Sequence, residues 1–345
     1  MTTPLWNETL ERLYPMASAD PARTPLVDVH AHFLTDHYVQ AAKDAGHFHP
    51  DGGPGWPAWS AARHLELMDQ WGIAAAILSI SSPGVCFGGP AATSALARHV
   101  NDAGAEVRRP HPERFGHFAS LPLPDVDAAL KELEYALDQL GSDGVTTETN
   151  TGGIYLGDPR YQPLLAELDR RRTPVFVHPT SPPGYQAVSL GRPRAMLEFI
   201  FDTTRTVSDL VFTGRLQQYP GIPWVFTHGG GDLPLLTQRM ELFRSVVPVD
   251  GAAGVTGPAV PVPDQVGRLW FDMAGTPFPY QIPALTTAFG REHLLYGSDY
   301  CWTPAAGTTA QVGSIAAAPQ PDGDTWRALT TRNAQRLFPR LNNLT

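Results

Sequence analysis

Leu26-Val27-Asp28-Val29-His30-Ala31-His32 is a short apolar, β-branched run that ends on two histidines one residue apart. Such a run predicts a buried strand over residues 26–30. Side chains two apart on an extended chain point the same way, so His30 and His32 can reach one ion together. By itself the pair reads equally well as packed or solvent-facing imidazoles. The downstream sequence shifts that balance. Runs rich in Val, Ile and Phe recur at residues 74–80, 115–121, 144–149, 175–178, 224–228, 269–273 and 293–298. Between them, apolar residues at three- and four-residue spacing predict helices, among them 62–71, 127–140, 161–172, 205–218 and 232–246. Strands alternating with helices predict βα units and a parallel sheet. Eight such strands are the number that closes a (β/α)8 TIM barrel.

In a parallel barrel the C-terminal ends of all strands open onto one face. His178 and His228 close their apolar runs, and Asp299 directly follows the last one. With His30 and His32 they are predicted to meet at that face. Pro- and Gly-rich insertions near 46–60 and 247–264 predict long loops around its mouth. Residues 1–24 read as an N-terminal arm, and 25–345 as one barrel domain.

Of the 345 residues, 42% are hydrophobic and 17% charged, and no run approaches the ~20 apolar residues that span a membrane. The first residues lack the basic start and apolar stretch of a secretory signal, which predicts a cytoplasmic protein. A net charge of −9 argues against a nucleic-acid surface, which needs a basic stripe. The predicted partner is a small molecule, and a carboxylate substrate is compatible with that charge. Cys86 and Cys301 are too few for a disulfide framework or a thiolate cluster, so a metal would draw on His and carboxylate ligands.

Further stretches carry a resemblance. They are Leu67-Met68-Asp69-Gln70-Trp71-Gly72-Ile73, His111-Pro112-Glu113-Arg114-Phe115, Gly157-Asp158-Pro159-Arg160-Tyr161, Val177-His178-Pro179, His228-Gly229-Gly230-Gly231 and Tyr296-Gly297-Ser298-Asp299. Taken in this order with the opening HxH, the chain resembles the amidohydrolase superfamily. Within it, the chain is similar to the group of 2-amino-3-carboxymuconate-6-semialdehyde decarboxylase and the non-oxidative aryl decarboxylases. Ile80-Ser81-Ser82-Pro83-Gly84 and Phe201-Asp202-Thr203-Thr204-Arg205 look like the branch that holds 6-methylsalicylate decarboxylases.

The resemblance implies one divalent metal, Zn2+ as first choice and Mn2+ as second, held by His30, His32, His178 and Asp299. Strand four, Val145-Thr146-Thr147-Glu148-Thr149, lacks the lysine that would bridge a second metal, which implies a mononuclear site. Asp299 and His228 are the implied catalytic pair, the first delivering a proton and the second hydrogen-bonding the oxyanion or carboxylate. The implied reaction is non-oxidative decarboxylation of a small hydroxyaromatic acid by a homodimer. Where the muconate-semialdehyde enzyme has a carboxylate-binding arginine, this chain has His64, with Arg63 beside it. Arg63, His64 and Arg205, with Arg192 and Arg194, are therefore the candidate substrate-binding groups. Phe33 and Trp302 are the candidate ring contacts, and Asp28 and Asp272 are expected to orient the site from outside the ligand set.

An aryl carboxylate does not lose CO₂ directly, because the departing bond would leave a poorly stabilised aryl anion. The ring carbon must first be protonated, which an ionised ortho hydroxyl makes easier. The rival use of the same ligands is hydrolysis of a lactone or amide by metal-activated water. The His228-Gly229-Gly230-Gly231 run mimics a serine-esterase oxyanion hole, but the sequence contains no G-x-S-x-G elbow.

Overall fold

The computed structural model describes residues 24–246 and 260–343. The expected arm up to residue 23 and most of the 247–264 insertion lie outside the described residues. Eight strands form one sheet in sequential order: β1 (Leu26–His32), β2 (Ile73–Ser79), β3 (Phe115–Ser120), β4 (Gly144–Glu148), β5 (Val175–His178), β6 (Trp224–Phe226), β7 (Trp270–Asp272) and β8 (Leu294–Leu295). Every neighbouring pair is parallel. The barrel closes where the Val29 amide donates to the Tyr296 carbonyl at 2.9 Å and the Asp299 amide to the His30 carbonyl at 2.7 Å.

The helices of the outer ring are α1 (Asp36–Asp44), α2 (Ala61–Trp71), α3 (Pro90–Arg108), α4 (Val126–Asp138), α5 (Gln162–Arg171), α6 (Glu198–Phe212), α7 (Leu233–Arg244), α8 (Ile282–Phe289), α9 (Ala305–Ala317) and α10 (Trp326–Leu337). Local sequence sets several of their ends. The Ser60 hydroxyl caps α2 by accepting from the Arg63 amide, and Gly72 stops it at φ 67°. Thr325 caps α10 in the same way. That helix then fastens the closing seam: Asn333 donates to the Leu294 carbonyl at 2.9 Å and Thr331 to the Pro25 carbonyl at 2.7 Å.

Several expected boundaries move. The sixth strand stops at Phe226, because His228 turns to φ 53°. The eighth is regular only over Leu294–Leu295, because the chain beyond it curls to bring Asp299 to φ 58°. The helix expected at 205–218 begins at Glu198 and breaks at Gly214, whose φ is 74°. Among the described residues no helix is long and apolar enough to cross a membrane.

A bulge in β1 decides where the histidines go. Val27 and Val29 pack inside the barrel with Ile77, Phe118, Phe176 and Leu295, whereas Ala31 packs outward with the helices. Strict alternation from those valines would turn His30 and His32 outward as well. The β1–β2 register slips by one residue between Asp28 and Ala31, which resets the phase. Asp28 holds the bulge, since its Oδ1 accepts from the His30 amide at 3.1 Å and the Ser298 amide at 3.0 Å. Burial, only partly offset by those bonds, pushes the Asp28 carboxyl up to about 7.

Candidate active site

His30 and His32 end β1, His178 ends β5, and Asp299 follows β8 on the turn through Ser298. One ligand atom from each lies within 4.8 Å of the others. The His30 and His32 Nε2 atoms are 3.0 Å apart, and Asp299 Oδ1 is 3.3 Å from the first and 3.1 Å from the second. Gly297 makes this approach possible: a Cβ there would stand 2.6 Å from the His30 Cβ.

Each imidazole is held by its far nitrogen. His30 Nδ1 meets Asp272 Oδ2 at 2.7 Å, His32 Nδ1 the Ser79 carbonyl at 3.3 Å, and His178 Nδ1 the Pro179 carbonyl at 2.7 Å. An N–H committed to those acceptors leaves the Nε2 lone pairs facing one another, the arrangement metal-binding histidines take. The four side chains therefore fit a single divalent ion, with three nitrogens and one oxygen as donors.

Charges agree with the geometry. His30 is pushed up to about 10: burial opposes its cation, but Asp272 and Asp299 outweigh that. His32 and His178 lie below the usual histidine range, chiefly through burial and then through neighbouring imidazoles. Burial favours a protonated Asp299, but His228, His30 and His32 overcome it and hold the carboxyl well below its ordinary value. The metal-free cluster thus favours a charged His30 between Asp272 and an ionised Asp299.

His228 stands on the other side of the same carboxylate, its Nε2 3.6 Å from Asp299 Oδ2. Its Nδ1 pairs with the Thr227 hydroxyl at 2.9 Å, and its amide donates to Asp272 Oδ1 at 2.8 Å. Asp272, expected only as an orienting carboxylate, thus ties His30 and the His228 backbone together.

The other expected site residues are scattered. Arg63 lies exposed on α2, paired with Glu66. His64 is buried behind the site, where its Nδ1 accepts from Trp59 and its ring lies 4.8 Å from that of Tyr300. Burial, followed by His32 and Arg114, lowers it to about 3. Arg205 pairs with buried Asp202 at 2.5 Å, and Phe33 belongs to the apolar core, 6.0 Å from the Trp59 ring. Trp302, three residues past Asp299, packs against Trp56 at 5.5 Å, and its indole N–H has no partner among the described residues.

A cavity of about 410 Å³ lies over the ends of β2 to β5. Glu148, 3.8 Å from His178 Nδ1, joins it to the ligand cluster. Arg194, one of the five candidate substrate-binding groups, lines this cavity. Its Nε donates to the Ser181 hydroxyl at 2.9 Å, which donates to Asp51 at 2.5 Å. Sequence spacing gave no sign of the Asp51, Ser181 and Thr146 contributions, because they come from three separate loops or strands.

The amidohydrolase family's sequence model matches residues 27–340. The chain belongs to the amidohydrolase family. It is 36% identical over 324 residues to the 6-methylsalicylic acid decarboxylase of Aspergillus aculeatus, covering 91% of this chain and 96% of that one. With the 6-methylsalicylic acid decarboxylase of Penicillium expansum it shares 34% over 326 residues, 92% and 97% of the two chains. A solved structure described as amidohydrolase II superposes with a TM-score of 0.81 at 34% identity, over 91% of this chain and 99% of that one. A manganese-bound dihydroxybenzoic acid decarboxylase from Polaromonas superposes at 0.76 with 22% identity, over 92% and 97%, which shows the shared fold.

Proposed function

We infer that this amidohydrolase-family chain is a carboxy-lyase that removes CO₂ from a small hydroxyaromatic carboxylic acid of the 6-methylsalicylate type. Full-length similarity to two 6-methylsalicylic acid decarboxylases supports the reaction class. The observation that carries the mechanism is the position of Asp299, with one oxygen on the histidine cluster and the other facing His228. His30, His32, His178 and Asp299 are the proposed metal ligands. A divalent ion held there supplies positive charge that favours the ionised form of a hydroxyl ortho to the carboxylate. Zinc suits this donor set, and manganese is the ion carried by a structural neighbour.

Asp299 rests as an anion, so it accepts a proton before it gives one. It takes the ortho hydroxyl's proton and passes it to the ring carbon that bears the carboxylate. The ring–carboxylate bond then breaks, its electron pair restores the aromatic ring, and CO₂ departs. The remaining phenolate takes a solvent proton. Across the carboxylate, His228 donates to the developing negative charge and holds Asp299 Oδ2 in line. Arg194, and Trp302 beyond Asp299, are the proposed substrate contacts among the candidates.

Two free cysteines, Cys86 and Cys301, suit a cytoplasmic location. A homodimer belongs to the same proposal. Phe201 on α6 and Leu235 and Leu242 on α7 expose apolar surface that a second copy would cover.

The test is CO₂ release by metal-loaded protein on a panel of 2-hydroxybenzoic acids, beside lactones and amides. Metal-dependent CO₂ release is expected. Hydrolysis without CO₂ would keep the ligand set and overturn the reaction. Elemental analysis of the purified protein identifies the ion.

A further inference from the structure

The cavity beside the ligand cluster has a mixed lining, to which Val85, Leu121 and Leu123 contribute apolar side chains. On β4, Thr146 and Glu148 stand in register with Phe176 and His178 of β5, so their side chains share the inward face that carries His178. Both line the cavity. Thr146 is 4% exposed, yet among the described residues its hydroxyl has no hydrogen-bond partner, and neither has Glu148 Oε2, which comes no nearer than 3.8 Å to His178 Nδ1. Buried polar atoms are nearly always paired, so two orphans on one wall point to a group that arrives from outside.

The backbone keeps that wall in place. Gly84, at φ 75°, passes so close to Glu148 that a Cβ would stand 3.1 Å from its Cγ. A larger residue would push the carboxylate off the wall. Arg194, which also lines the cavity, is tied to Ser181 and is not the partner of these atoms.

Resting on the decarboxylase reading, we propose that Thr146 and Glu148 form a polar subsite for a second ring hydroxyl, on the ring edge away from the carboxylate. That hydroxyl donates to Glu148 Oε2 and accepts from Thr146 Oγ1. Within the 6-methylsalicylate type, the preferred substrate is the aryl acid whose ring also carries this extra hydroxyl. The cavity volume suits a single substituted ring.

The test compares 2-hydroxy-6-methylbenzoate with 2,4-dihydroxy-6-methylbenzoate, which differ by one hydroxyl. The native enzyme is expected to favour the dihydroxy acid at least about tenfold in kcat/KM, because a site built around a hydroxyl is left with unpaired groups when it is missing. Thr146→Val, nearly isosteric, and Glu148→Met, which keeps the length without an oxygen, should each bring that ratio toward one. A ratio of one or below in the native enzyme, or a ratio unmoved in both variants, overturns the subsite.

Binding of 2-nitrophenol and 4-nitroresorcinol, whose nitro group stands in for the carboxylate and cannot leave, separates the two readings. Tighter binding of 4-nitroresorcinol without turnover of either acid would sustain the subsite and remove the decarboxylase assignment. Turnover of both acids with no preference in either assay would do the reverse.

Discussion

The two ends of the barrel are built on opposite principles. Below the histidines, Phe118 stacks on Phe176 with ring centroids 5.1 Å apart, and Phe338 lies 5.8 Å from the Phe118 ring. Arg340 clamps that end by pairing with Asp143 at 2.7 Å. Two residues beyond Phe176, β5 presents His178 in register with Glu148 of β4, and β1 ends on His30 and His32. His228 and Asp299, both non-glycine residues at positive φ, lie at that upper end, as does Asp51 at φ 51°. Left-handed backbone costs of order 1–3 kcal/mol per residue, and it persists where surrounding structure over-determines it. The lower end thus supplies stability that the upper end spends on placing charge.

The sharpest way to break this division is Asp299→Asn. It is expected to lower kcat about a thousandfold, the scale of a lost proton-transfer group, with only a modest fall in melting temperature, because the ionised carboxylate also offsets the His30 cation. A fall as large as that of a core truncation would show that the upper end bears the fold as much as the lower. The mirror-image change is Phe176→Ala, which should cost about 3–5 kcal/mol of stability by leaving a cavity under the site. Denaturant melts read that loss, and kcat measured where the variant remains folded should stay close to native.

Asp272→Asn sharpens the comparison at the boundary between the two ends. It keeps the shape but weakens the grip on His30, so metal affinity should drop about 10- to 100-fold in a competitive chelator titration. An unchanged affinity would leave Asp272 with a purely structural role toward the His228 amide.

A smaller effect follows from His30 in the metal-free protein. Its folded-state value of about 10 lies above the 6.5 of an unperturbed histidine. Its contribution to stability is therefore fully present below 6.5 and is lost as pH rises toward 10. The melting temperature of the metal-free chain should fall across that window, and His30→Gln or bound metal should flatten the slope. The smallest expected effect is that of Arg63→Ala. Its guanidinium pairs with the neighbouring Glu66 on an exposed helix face, so its removal should leave both kcat/KM and melting temperature unchanged.

Much of the barrel was legible from local pattern. Strands buried on both faces need continuous apolar runs, and those runs are visible in one dimension. The ligand cluster was legible for the same reason: His30, His32, His178 and Asp299 each sit at the end of such a run, and a parallel barrel gathers the ends. The helix at α9 was harder to see, because its Ala-, Gly- and Thr-rich sequence carries no strong apolar stripe. The substrate-binding candidates fared differently. Spacing alone could not tell Arg63, which faces solvent, from Arg194, which lines the cavity, because an arginine's reach depends on the loop that carries it.

What the sequence determined by itself was the element order, the parallel sheet and the residues able to bind a metal, all consequences of periodicity and strand ends. What only the tertiary structure decided was orientation. A one-residue slip in β1 turns the histidines inward, Asp272 from β7 sets the His30 tautomer, and β2 to β5 assemble a cavity with an unpaired polar wall. Each of these depends on contacts between residues far apart in the chain, such as the 242 positions that separate His30 from Asp272. No local pattern encodes such contacts, because they form only when the barrel closes.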